Sequence, residues 1–176
     1  RRGRGTFVAR HTGVVNDPLG FAYMPDQLRL AHELLAIRLI MEPWVASLAA
    51  QHATEEDVAE LRALCREIED LINAGETPLL RDEALHVRIA RCTQNRVVPK
   101  LLPVIAYSVQ LFGSLNDQRI YQETIDTHRQ IVDAIAAHDP ETAREAMYRH
   151  LAGNLTAITE QDQLHAQEET SPSGPI

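Results

Sequence analysis

Arg81-Asp82-Glu83-Ala84-Leu85-His86-Val87-Arg88-Ile89-Ala90 reads as one helical segment carrying two groups able to hold a metal. Asp82 and His86 are four residues apart, so a helix stacks the carboxylate and the imidazole on one face. Leu85, Ile89 and, a turn earlier, Leu80 are expected beside them, which turns that face inward. Polar groups on a buried face need partners. His128 and His150, further along the chain, are placed to supply them.

Outward from this segment the pattern stays helical. Leu28, Leu30, Leu34, Leu35, Ile37, Ile40 and Met41 recur at helical spacing after Asp26, a natural cap, and the stripe continues through Val45, Leu48 and Ala49 to about His52. Pro43 cannot donate a backbone hydrogen bond, so a kink or restart is expected there. Arg38 and Glu42 form an i,i+4 pair, read first as a surface or helix-edge ion pair. Thr54-Glu55-Glu56-Asp57 opens a second helix, which Asn73-Ala74-Gly75 ends. A third runs from Pro78 to near Asn95. Residues 97–115 form an apolar stretch with a bend expected at Pro103, suited to the core or a subunit interface. A helix over about 117–137, capped by Asn116-Asp117, puts Ile125, His128, Val132 and Ile135 on one stripe. Asp139-Pro140 starts another, with Ala143, Met147, His150 and Asn154 aligned. The predicted fold is all-α: an antiparallel bundle of six to seven helices over residues 26–160, with a short β piece at the N-terminus.

The flanks differ from this body. Residues 1–10 hold four of the 17 basic residues and no acid, which leaves 13 basic against 25 acidic residues in 11–176. An acidic body of this kind does not bind nucleic acid by itself. Residues 11–25, with Gly13, Pro18, Gly20 and Pro25, read as a linker. Residues 161–176 are polar and are expected to be disordered. No apolar run is long enough to span a membrane, and the two cysteines, Cys65 and Cys92, suggest no disulfide framework, so a cytoplasmic setting is expected.

Three of the eight histidines fall on inward stripes; His11, His32, His52, His138 and His165 do not. Three imidazoles with one carboxylate suit a borderline divalent ion: zinc foremost, with nickel, manganese, iron or cobalt as alternatives. Such a site keeps coordination positions open, and an open position attracts a small carboxylate. Cys92 is a weaker ligand candidate, since a soft thiolate is redundant beside four harder groups. Spacing alone does not bring the four together.

From Ala36 to Ala157 the chain resembles the effector-binding domain of the FadR subfamily of GntR transcription regulators, the all-helical FCD domain. The resemblance rests on Arg38-Leu-Ile-Met-Glu42-Pro43, Leu48-Ala49-Ala50, Asp82-Glu-Ala-Leu-His86, Asn95, His128-Arg-Gln-Ile131 and Met147-Tyr-Arg-His150-Leu151. Leu85 stands where the family usually has Phe. The resemblance implies that Asp82, His86, His128 and His150 hold a divalent metal with a small organic acid beside it. Arg38 then becomes a candidate for the acid's carboxylate and Asn95 for orienting a ligand or the effector. Residues 2–8 look like the wing of a winged helix-turn-helix domain, which implies DNA contact by Arg2 and Arg4. The rest of that domain is missing from the sequence, and operator binding is expected to pass through it. A homodimer is expected, matching two-fold operators.

Two other classes compete. A metalloenzyme on a helical bundle would need a second Glu-x-x-His or a His-Glu-x-x-His motif, and only Glu83-Ala-Leu-His86 is found, so no enzyme is predicted. A purely structural dimerisation domain would bury the same histidines without metal.

Overall fold

The computed structural model describes residues 19–106 and 118–170. Among these residues there are six α-helices, one 3-10 turn at Phe21–Tyr23 and no strand. The helices are α1 (Gln27–His52), α2 (Glu55–Asn73), α3 (Leu79–Cys92), α4 (Val98–Ala106), α5 (Gln118–Ala136) and α6 (Pro140–Thr170). The expected wing at residues 1–10, the first part of the linker and the Asn116-Asp117 cap lie outside the described residues.

The local signals hold where they can be compared. The Asp26 carboxylate accepts from the Arg29 amide at 3.0 Å, and Asp26 takes a left-handed φ of 58° to do so. Thr54 and Asp57 exchange hydrogen bonds in a capping box that starts α2. Gly75, at φ 73°, closes it with Gly75 N–H to Ile72 and Glu76 N–H to Leu71. Asp139 caps α6 by accepting from the Thr142 amide.

α1 is the centre of the bundle. It packs against α6, α3, α5 and α4, while α5 packs on α6, α2 on α3 and α5, and α3 on α4. The short connection at 137–139 between the packed pair α5 and α6 suits an antiparallel arrangement. Small residues make the central packing close: Ala46, Ala49, Ala50, Ala143 and Ala146 are all fully buried. Leu35, Leu61, Ile68, Leu85, Ile89, Leu102, Ile131, Ile135, Met147 and Leu151 fill the rest of the core. His138 ties the α5–α6 corner to α1, donating from Nδ1 to the Ala50 carbonyl at 2.8 Å.

Four details depart from expectation. Of the kink or restart expected at Pro43, the restart does not occur, since α1 runs through it as one helix; a single lost N–H is outweighed by packing on four sides. Leu80 is 73% exposed; two residues from Asp82 it points about 200° away around the helix. Ile37 and Ile40 also face out, and the inward stripe of α1 passes instead through Leu35, Arg38, Glu42, Val45 and Ala49. α6 continues to Thr170 rather than stopping near Gln161. Residues 161–170 are polar yet rich in Gln and Glu, with no Gly or Pro, and polarity does not break a helix.

Candidate metal centre

Three helices bring the four expected ligands together. Asp82 and His86 come from α3, His128 from α5 and His150 from α6, and all four are buried. One donor atom from each lies within 4.8 Å of the others. His128 Nε2 is 3.3 Å from one Asp82 oxygen and His86 Nε2 is 3.8 Å from the other. The imidazole centroids are 4.4 Å apart for His128 and His150, 5.3 Å for His86 and His150 and 5.7 Å for His86 and His128.

The surroundings decide which ring nitrogen is available. His86 Nδ1 donates to the Glu42 carboxylate, which leaves the Nε2 lone pair facing the cluster. Thr127 has one hydroxyl proton, and its Oγ1 lies 2.7 Å from the Glu123 carbonyl and 3.0 Å from His150 Nδ1. A carbonyl can only accept, so Thr127 gives its proton to Glu123 and accepts one from His150 Nδ1. His150 therefore also turns an Nε2 lone pair inward. His86 Nε2 and both nitrogens of His128 have no hydrogen-bond partner although they are buried. Buried polar atoms left so are rare and costly. Converging lone pairs from three imidazoles and one carboxylate fit a divalent ion of the zinc class.

Electrostatics favour the metal-ready protonation state. Burial pushes the His128 imidazole down to about 4; Asp82 opposes this, while His86 and Arg38 add to it. Burial, then His128, His86 and Arg38, also hold His150 well below the ordinary histidine value. Protons compete with a metal for an ordinary histidine near pH 6.5, and for these two rings that competition is displaced to more acid conditions. Stability should carry the same mark. In the unfolded chain His128 takes a proton near 6.5, while the folded chain refuses it until about 4. The contribution is complete above 6.5 and is lost as pH falls toward 4. With metal removed by chelation, His128 alone should contribute about 2 kcal/mol to the loss of stability that urea unfolding shows between pH 7 and pH 5. His128→Gln should lose less over that interval; equal losses would mean that His128 titrates as in a free peptide.

Arg38 and Glu42 were read first as a surface pair, and that expectation is corrected: both are 1% exposed. Arg38 Nε donates to Glu42 at 2.5 Å, and the other Glu42 oxygen holds His86. Burial alone would raise the Glu42 pKa, but Arg38 and then His86 outweigh it and hold the carboxyl at about 2. Such a carboxylate fixes the tautomer and the aim of the imidazole it grips. Glu42, Thr127 and Asn154 were not among the expected site residues. The signal for Glu42 was available, since Leu35, Arg38, Glu42 and Val45 keep helical spacing.

The Asn95 side-chain oxygen accepts from the Val97 and Val98 amides at 2.8 and 3.1 Å and so begins α4. Cys92 is outside the cluster; its Sγ donates to the Arg88 carbonyl, and burial pushes its thiol up to about 11. Burial pushes the half-buried Cys65 thiol up to about 12, in keeping with an inert core thiol. Arg2 and Arg4 lie outside the described residues.

A family model described as the FCD domain matches residues 33–153. The chain is 27% identical over 158 residues to a Haemophilus influenzae protein named Uxu operon regulator, covering 86% of the chain and 58% of that protein. It is 28% identical over 163 residues to the Bacillus subtilis HTH-type transcriptional regulator LutR, covering 86% and 72%. Among solved structures, Streptococcus agalactiae GntR superposes with a TM-score of 0.75 at 34% identity, over 89% of this chain and 73% of that one.

Proposed function

Because the chain belongs to the FCD domain family of GntR-type transcription regulators, we propose that it senses a small carboxylate through one divalent ion held by Asp82, His86, His128 and His150. The single observation that carries this is the convergence of buried imidazole lone pairs on one point. Zinc leads among the ions on donor chemistry, with nickel, manganese, iron and cobalt behind it.

Charge supports an acid as the effector. In the loaded site the ion contributes +2 and Arg38 +1, against −1 each for Asp82 and Glu42 when ionised, so the buried group carries a net positive charge. Buried charge seeks a counter-ion, and a carboxylate on the open coordination positions supplies one. The charge of the buried Arg38 contributes at both His128 and His150, which supports it as the group that draws the acid. Acid binding would bias the relative placement of two DNA-binding heads in a homodimer, and operator contact would be made by winged-helix domains. The relatives are named as regulators of transcription, and the chain is read as a sensor rather than an enzyme. Among the described residues no helix is long and apolar enough to cross a membrane, and the proposed setting is the cytoplasm.

Calorimetry with a panel of short hydroxy, keto and sugar acids tests the proposal. One or more acids should bind the metal-loaded protein, and chelation should weaken that binding at least tenfold. Equal affinity in both states would remove the metal from the sensing mechanism.

A further inference from the structure

His150 is held from both sides. Thr127 takes the proton on Nδ1, as its own bond to the Glu123 carbonyl requires. On the other side the Asn154 amide nitrogen lies 3.3 Å from Nε2. A ring protonated on Nδ1 offers a single lone pair, on Nε2, so the Asn154 amide donates to it. That is the same lone pair a metal ion must use. A hydrogen-bond donor and a cation cannot share it.

We infer that Asn154 caps the His150 lone pair in the metal-free protein and is displaced by the ion, which turns its amide toward the carboxylate that the ion binds. The inference rests on the metal reading above and adds a residue to it. Position supports it. Asn154 is one turn beyond His150 on α6, so it follows the imidazole without any backbone change. Asn154 is only half-buried whereas the four ligands are buried, so the released amide reaches water or a ligand and is not stranded. Two N–H donors beside an open coordination position suit the second oxygen of a metal-bound carboxylate.

The capping bond also acts as a competitor. A net hydrogen bond corresponds to roughly a 2- to 10-fold change in an equilibrium, so Asn154→Ala should bind Zn²⁺ about that much more tightly than the wild type. On the Zn²⁺-loaded protein the same variant should bind glycolate more weakly by a similar factor, since the released donor is gone. Asn154→Asp, which adds an anionic oxygen at the same place, should tighten Zn²⁺ further and weaken glycolate more. Alanine is a good helix former and the position is partly exposed, so both variants should fold.

The experiment has three arms. Nitrogen NMR of the chelated protein should show His150 protonated on Nδ1, with an Nε2 resonance that moves on Asn154→Ala. Competition with a chromophoric chelator gives Zn²⁺ affinity, and calorimetry gives glycolate affinity. An unmoved Nε2 resonance, an unchanged Zn²⁺ affinity or equal glycolate affinity in wild type and Asn154→Ala would each overturn the inference while leaving the metal site standing. Failure of the wild type to bind Zn²⁺ would overturn the metal reading itself, and this inference with it.

Discussion

Adding zinc to the metal-free protein should raise its melting temperature by roughly 5–10 °C, and His128→Ala or His150→Ala should abolish the rise. The size follows from mass action: an ion a hundredfold above its dissociation constant stabilises the fold by about 2.7 kcal/mol, and 1 kcal/mol shifts the midpoint of a chain this size by about 2–4 °C. Each histidine contributes one donor to a site with four, so removing one opens the shell. After chelation the variants and the wild type should melt much closer together, because in the metal-free protein the buried rings are a cost as well as a contact. His128 shows this most clearly, since neither of its nitrogens has a hydrogen bond. Thermal scans with and without chelator check the result. A rise that survives in both variants would mean that the ion sits elsewhere.

The second large effect should come from a residue that touches no metal. Glu42→Ala removes the carboxylate that Arg38 and His86 share. Removing one partner of a buried ion pair costs about 3–5 kcal/mol, because the remaining charge keeps its desolvation penalty. Loss of the group that aims a ligand imidazole lowers metal affinity about 10- to 100-fold. Glu42→Gln separates the two effects. It keeps the volume and a carbonyl to accept from His86 Nδ1, but it removes the charge opposite Arg38. It should recover more of the metal affinity than of the stability. If Glu42→Ala folded as well as wild type and bound zinc equally, the pair would be an ornament of the core.

Much of this was legible in the residue order, and the exceptions share a cause. Thr54, Gly75 and Asp139 punctuate helices through their own backbone chemistry, and each does its expected job. The inward placement of His128 and His150 followed from apolar neighbours three and four residues away. The errors came where hydropathy and geometry disagreed. Ile40 is apolar and 78% exposed, while Arg38 and Glu42 are charged and sealed in. Leu35, Arg38, Glu42 and Val45 also keep helical spacing, and the ordinary cost of burying charge kept that pair off the expected stripe. That cost is met only because Arg38, Glu42 and His86 satisfy one another, and His86 lies 44 residues from Glu42 in the chain. A partnership across that separation is a property of the fold and cannot be seen in one helix. The Thr127–His150 contact was hidden for the same reason, since it joins residues 23 apart on two different helices.

The four candidate ligands are unevenly spread along the chain. Asp82 and His86 are neighbours on a helix, but His86 to His128 spans 42 residues and His128 to His150 spans 22. An ion that grips all of them closes two loops. In an unfolded coil each closure costs chain entropy of about (3/2)RT ln n, roughly 3 kcal/mol for loops of these lengths. The folded bundle has already met that cost through its core. An ion therefore meets a four-donor site in the folded chain and little more than the Asp82–His86 pair in the coil. Metal loading would then add to the stability of a bundle that already folds without it. A chain made where the ion is scarce would be folded but less stable.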